Sequence, residues 1–279
     1  MNTGKVWFVT GASKGLGLSL VKQLLESGYR VAATSRDEQA LINAAGSAAA
    51  SFLPIKMDIA NNADVKQAIE KTVQQFGRID VVVNNAGYGQ MGALEELTDE
   101  EARKNFDVNV FGALNVIRNA MPYLRKQGAG HIFNISSIGG LNGTFGGWGI
   151  YCATKFAMAG FTESLADEVK SFGVHVTLVY PGYFRTDFLS NESAMGAKNP
   201  IADYDTARQT ELLHRNDING NQPGDPLKAA NVMIAVSEDE NPPLHLVLGK
   251  DAYSLAEQKI LAVQQDMAAQ KDRGTSTDF

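Results

Sequence analysis

Thr10-Gly11-Ala12-Ser13-Lys14-Gly15-Leu16-Gly17 joins an apolar, β-branched run, Val6-Trp7-Phe8-Val9-Thr10, to a stretch of helical period from Leu16 to Ser27. Leu20 and Leu24 fall on one face of that stretch, and Gly28 follows its end. The order is strand, glycine-rich turn, helix. A helix N-terminus presents free N–H groups and the positive end of the backbone dipole, which together suit a pyrophosphate. Gly11, Gly15 and Gly17 permit a tight turn and a close approach of backbone to phosphate, with Ser13, Lys14 and Leu16 completing the turn. The spacing is G-x-x-x-G-x-G and differs from the G-x-G-x-x-G of the common dinucleotide turn.

Outward from this turn the alternation repeats. Tyr29 to Thr34 reads as a second strand with a helix from Asp37 onward, and Phe52 to Met57 as a third strand with a helix over Ala63 to Phe76. Ile79-Asp80-Val81-Val82-Val83 has the near-continuous apolar character of a parallel strand buried on both faces. Thr98-Asp99-Glu100-Glu101 has the form of a capping box and opens a long helix, in which Pro122 predicts a break or kink. His131 to Ser136 and Val174 to Tyr180 read as strands on either side of a helix over Ile150 to Ser171. Pro226 to Ser237 reads as a helix, Leu244 to Leu248 as a last strand, and Tyr253 to Gln270 as a final helix before a polar, frayed tail at 271–279. The pattern is α/β: a single-domain, doubly wound (Rossmann) parallel sheet over residues 1–279, with helices on both faces. Residues 183–225, with one short helix near Thr206 to His214, are too many for a simple connector and read as a substrate loop region.

Composition narrows the function. The formal net charge is -6 and no segment is strongly basic, which argues against a nucleic-acid partner. No run is long and apolar enough for a membrane span, and the N-terminus lacks a signal-peptide layout. A single cysteine, Cys152, excludes an internal disulfide and makes the cytoplasm the default compartment. His131, His175, His214 and His245 are scattered without metal-ligand spacing, so no metal is expected and all four read as structural or surface residues. Cys152 has no histidine near it in sequence and reads as a small core residue.

Several motifs in order now resemble those of the short-chain dehydrogenase/reductase family. The turn resembles its TGxxxGxG signature. Asn84-Asn85-Ala86-Gly87 resembles NNAG, and Asn109 the family's helix asparagine. Ser137 followed by Tyr151 and Lys155 resembles the catalytic Ser and YxxxK, and Pro181-Gly182 with Thr186 the PG…T motif beside the nicotinamide. The resemblance is close over residues 4–190 and looser beyond. It implies catalytic roles for Asn109, Ser137, Tyr151 and Lys155, with Asn109 binding a water next to the lysine and Lys155 bonding the nicotinamide ribose. Ser137 and Tyr151 stand one residue further apart than the family's usual spacing, which the glycine-rich loop between them can absorb.

The residues themselves support this chemistry. Tyr151 and Lys155 lie four apart on one helical face. Free tyrosine titrates near 10, and an ammonium ~4–5 Å away is worth roughly 3–4 kcal/mol at an effective dielectric of ~20, which is expected to lower the phenol's pKa by about two to three. Ser137 would hold the substrate oxygen, whereas Ser136 points to the other face of the strand.

An acid at the end of the second strand would bind the ribose hydroxyls of NAD(H). This strand instead ends in Ser35-Arg36, and Arg36 with Lys14 favours the 2′-phosphate of NADP(H); Asp37 reads as a helix N-cap. By resemblance, Asp58 and Ile59 contact adenine, and Asn85, Ala86 and Gly87 form the cofactor floor. Leu141, Phe145, Trp148, Tyr183, Phe184, Phe188 and Leu189 give the substrate end an apolar, aromatic lining. The reading is NADP(H)-dependent interconversion of a hydrophobic ketone or aldehyde and its alcohol. A non-catalytic NADP(H)-binding regulator and an epimerase or dehydratase stay open as alternatives. A homo-oligomer is expected through the apolar stretches Phe106 to Leu114 and Phe156 to Leu165.

Overall fold

Every residue of Val6–Val9 is buried, on both faces of the strand, because helices cover both sides of the sheet that it begins. In the computed structural model, which describes residues 4–279, this strand (β1) leads into α1 (Gly15–Glu26), β2 (Arg30–Ser35), α2 (Glu38–Ala45), β3 (Phe52–Lys56) and α3 (Asn62–Phe76). β4 (Val81–Asn84) and a two-residue β5 (Gly89–Gln90) precede α4 (Asp99–Phe106) and α5 (Gly112–Gln127). Then follow β6 (Gly130–Ile135), α6 (Gly149–Val169), β7 (Val174–Pro181), a two-residue β8 (Ala194–Met195), α7 (Asp205–Leu212), α8 (Pro226–Val236), β9 (His245–Leu248) and α9 (Lys250–Thr275).

Seven strands form one sheet in the order β3-β2-β1-β4-β6-β7-β9, every pair parallel. Alternate residues divide the core. Phe8, Val82 and Ile132 pack with Val65, Ile69, Val116 and Leu165 of α3, α5 and α6. Trp7, Val9, Val81 and Phe133 pack on the other side with Leu20, Leu24 and Met233 of α1 and α8. Each such fully buried side chain contributes about 1.5–3 kcal/mol. The strand order reverses between β1 and β4, which opens a crevice at their carboxyl ends. This is the doubly wound α/β sheet expected.

Two local expectations fail. The Thr98 capping box forms, its hydroxyl accepting from Glu101 N at 3.2 Å and Glu101 accepting from Thr98 N at 3.0 Å. The helix it opens, however, is not broken at Pro122, which sits inside α5. Burial of Val116, Ile117, Ala120 and Leu124 holds the helix through the missing N–H. The irregularity comes earlier, as a wide π-turn at Asp107–Phe111 between α4 and α5. At the other end α9 continues to Thr275, past the point where a frayed tail was expected, and every residue from Ile260 onward is exposed. As expected, Asp37 caps α2, accepting from Ala40 N at 3.0 Å.

The segment after β7 is tied down. β8 pairs with β5, and two carboxylates at the start of α4 hold the following chain. Glu96 accepts from Ala93 N at 2.6 Å, Ile201 N at 2.7 Å and the Arg208 guanidinium at 2.5 Å. Glu101 accepts from Lys198 N at 3.0 Å. Burial alone would raise the Glu96 carboxyl, but the backbone N–H groups of Ile201 and Ala93 and the charge of Arg208 hold it below its usual range. Glu96→Gln puts an amide N–H against these donors. We expect it to cost about 1–3 kcal/mol in urea unfolding and to make residues 194–215 the first site of limited proteolysis.

Candidate active site

The crevice opens into one cavity of about 500 Å³. Its polar end starts at the glycine turn. Gly11 and Gly15 have φ of +65° and +62°, in the left-handed region that disfavours any residue with a Cβ. A Cβ on Gly11 would lie 2.7 Å from Ala86 Cα. A Cβ on Gly17 would strike the Asn85 amide and approach Gly11 O at 2.6 Å. That space is taken because Asn85 Nδ2 donates to Thr10 O at 3.0 Å and Gly11 O at 2.9 Å. Thr10 Oγ1 in return accepts from Asn85 N and Ala86 N, both at 3.0 Å. The turn after β1 and the loop after β4 are thus one interlocked unit.

Gly11, Ser13, Lys14, Gly15 and Leu16 line the cavity at the start of α1, and Ser35 and Arg36 line it at the end of β2. Asp58 and Ile59 follow β3, Asn85, Ala86 and Gly87 follow β4, and Pro181, Gly182 and Thr186 close the opposite wall. Across the gap a Cβ on Gly15 would face Thr186 Cβ at 3.7 Å. An extended dinucleotide fits this cradle, with its phosphates against the N–H groups that open α1. Gly17 does not line the cavity; its part is to make room for Asn85. Ser35 Oγ accepts from Asp37 N at 3.2 Å, and Lys14 Nζ reaches Glu192 at 3.2 Å across the cavity mouth. Among the described residues Arg36 makes no ion pair.

Tyr151 and Lys155 stand on α6 where the polar end meets an aromatic one. Lys155 Nζ donates to Ile135 O at 2.8 Å and lies 5.7 Å from the centre of the Tyr151 ring. Ser137 caps the short turn after β6, its Oγ accepting from Gly139 N at 3.1 Å, beside the Tyr151 phenol. Ser136 Oγ is instead committed to Lys155 O, to which it donates at 3.0 Å. The electrostatics overturn one expectation. Burial pushes the Tyr151 phenol above its ordinary value, with Ser137 acting in the opposite direction and Cys152 and Tyr183 adding to the rise. Burial also lowers the Lys155 ammonium to about 8. Both groups have lost water, and this outweighs the attraction expected to lower the phenol.

Asn109 sits on the π-turn, fully buried and off the cavity wall. Its Nδ2 donates to Tyr88 O at 2.9 Å and Thr154 Oγ1 at 3.0 Å, and its Oδ1 accepts from Tyr88 N at 3.0 Å. The side-chain donors are therefore committed to the protein, and the residue braces the loop that carries Gly87.

Phe145, Trp148, Tyr183, Phe184, Phe188 and Leu189 line the aromatic end. Leu141 does not: it packs behind the site against Ile138, Ala252 and Val247. Cys152 lines the cavity as a buried thiol that burial pushes up to about 11. His131 is buried and kept neutral, lowered to about 3 by burial and by the neighbouring His175 and Lys5. His214 departs from its structural-or-surface reading. The π-turn after α7 carries it into the cavity, 5.0 Å from Trp148 and bonded to Tyr183. A lone histidine belongs to no motif; its place four residues after Thr210, inside the loop region expected to wall the pocket, is the signal available. Among the described residues no group of three or more His, Cys, Asp or Glu is placed to hold a metal ion, and no helix is long and apolar enough to cross a membrane.

A family model for short chain dehydrogenases matches residues 5–196. The chain belongs to this family. It is 35% identical to the 3-ketodihydrosphingosine reductase of Bacteroides thetaiotaomicron over 88% of each chain. It is also 35% identical to a short-chain dehydrogenase from Streptomyces avermitilis of solved structure, with a TM-score of 0.89 over 98% of this chain and 100% of that one. Two other solved family structures, at TM-score 0.73, carry different cofactors. They are a Brucella melitensis 3-ketoacyl-(acyl-carrier-protein) reductase with NADH (25% identical, covering 88% of this chain and 96% of that one) and ElxO with NADP (26%, covering 90% and 99%). The protein is an oxidoreductase of the short-chain dehydrogenase family, acting on an alcohol or ketone.

Lys155 is a cation below pH about 8 and loses that charge above it. The specificity constant for ketone reduction is therefore expected to be level below pH 7 and to fall above about 8. A profile flat from pH 6 to 10 would remove the charged lysine from the reaction.

Proposed function

We propose that the protein is an NADP(H)-dependent reductase that converts a ketone or aldehyde on an apolar compound to the alcohol, with Tyr151 as the proton donor. The observation that carries this reading is the buried Tyr151 phenol, set between Ser137 and Lys155 where one cavity passes from a polar cradle to an aromatic pocket.

The glycine turn and the start of α1 would hold the pyrophosphate, Arg36 and Lys14 the 2′-phosphate, and Asp58 and Ile59 the adenine. Asn85, Ala86 and Gly87 would form the floor, with Lys155 on the nicotinamide ribose and Pro181, Gly182 and Thr186 beside the nicotinamide. When bound, the nicotinamide supplies hydride to the carbonyl carbon or takes it back. The protein's part is to place and protonate the oxygen. Ser137 orients the carbonyl oxygen by a hydrogen bond. Burial keeps the Tyr151 phenol protonated, so it serves as the acid of a reduction. The Lys155 ammonium stabilises the phenolate left behind. Aromatic walls from Phe145, Trp148 and Phe188 exclude water and accept apolar substrate.

NADP(H) is favoured over NAD(H) because Arg36 is exposed and uncommitted at the cavity wall, whereas Asp37, the nearest acid, is spent on capping α2. We further propose self-association through the helices that expose Phe111 and Phe156.

Tyr151→Phe should lower kcat by about 10²–10⁴ while the NADPH dissociation constant, read by fluorescence titration, stays within about twofold; unchanged turnover would sink the assignment. Arg36→Asp should shift the NADPH-to-NADH ratio of specificity constants at least about tenfold towards NADH. An unmoved ratio would transfer cofactor choice to other residues.

A further inference from the structure

The aromatic pocket holds a polar pair besides Ser137 and Tyr151, and the direction of its hydrogen bonds can be read. His214 Nδ1 lies 2.7 Å from the carbonyl oxygen of Thr210. A carbonyl only accepts, so Nδ1 carries the ring proton. Burial holds the imidazole below its ordinary pKa, against the Thr210 bond, and the ring is neutral. Nε2 is then an acceptor, and the Tyr183 hydroxyl 2.9 Å away must donate to it. The Tyr183 oxygen has no proton left to give. What it can show to the cavity is lone pairs.

The pair is also fixed in place. Tyr183 N donates to Asp251 at 2.7 Å, which pins the backbone, and the His214 ring packs against Trp148. Trp148 in turn packs edge-on against Tyr151 at 5.4 Å, so the pair belongs to the same pocket as the reacting carbonyl. Burial, with Asp251 and Cys152, pushes the Tyr183 phenol up to about 12, which keeps it un-ionised at any working pH.

We infer that Tyr183, aligned by His214, is a second recognition point that accepts a hydrogen bond from a hydroxyl or amino group on the substrate. This rests on the reductase reading above and names its substrate class: carbonyl compounds that carry a hydrogen-bond donor a few bonds from the carbonyl. A plain ketone offers the Tyr183 lone pairs no donor. An ether or other pure acceptor at that place sets lone pair against lone pair and is rejected.

The test uses aryl ketones in matched sets, with hydrogen, hydroxyl or methoxy on the first, second or third carbon from the carbonyl. For the wild-type protein the hydroxyl compound of at least one set should exceed its parent by about 10–100-fold in kcat/KM, mostly through KM, with the methoxy compound below the parent. In Tyr183→Phe the hydroxyl-to-parent ratio should collapse to within about twofold. His214→Leu frees the Tyr183 proton, so methoxy should gain on hydroxyl. The same sets are titrated calorimetrically onto the protein saturated with NADP⁺, where no reduction occurs, and the dissociation constants should show the same order. If no ketone is reduced with NADPH, the reductase reading fails while these constants still judge the subsite. The inference is overturned if the hydroxyl confers no advantage at any of the three positions, or if Tyr183→Phe keeps the wild-type ratio.

Discussion

One side-chain amide holds the two loops that define this molecule. Asn85 Nδ2 donates to the carbonyls of both Thr10 and Gly11, and the Thr10 hydroxyl in return accepts from the backbone N–H groups of Asn85 and Ala86. This fixes the first turn against the fourth strand at the point where the strand order reverses. A Cβ at Gly17 would displace the amide, and one at Gly11 would displace the backbone of Ala86. Gly11 and Gly17 are therefore required by their protein neighbours as well as by the turn itself.

Burial has the second shaping influence, through protonation rather than packing. The tyrosine and lysine of the site have each given up water, and each has moved towards its neutral form. The phenol is held neutral beside an ammonium that titrates near 8. The same physics keeps the His214–Tyr183 pair neutral and its bonds directed.

The doubly wound sheet was legible because strand, turn and helix alternate in the sequence with the right periods and caps, and because five motifs fall in one order. The site residues named from those motifs line the cavity, Gly17 and Asn109 excepted. What was not legible depends on tertiary surroundings. Pro122 breaks helices in isolation, but here a buried face holds α5 through it, while the π-turn at Asp107–Phe111 has no local signature. Leu141 lies among glycines in a loop whose path decides which way it points, and it points into the core. His214 reaches the pocket on a chain that Glu96 and Glu101, among other contacts, tie back after β7. The direction of the Tyr151 shift turned on how dry the site is, which spacing does not report.

The interlock also sets an order of events in the cell. Thr10 and Gly11 are made early, but the groups that complete their turn belong to Asn85 and Ala86, beyond three further strands and three helices. The cradle cannot close until that much chain has left the ribosome. β1 finds its first parallel partner, β2, just beyond α1, but its second, β4, only by a longer-range contact. A chain halted before Asn85 lacks the side chain that joins the first turn to the loop after the fourth strand.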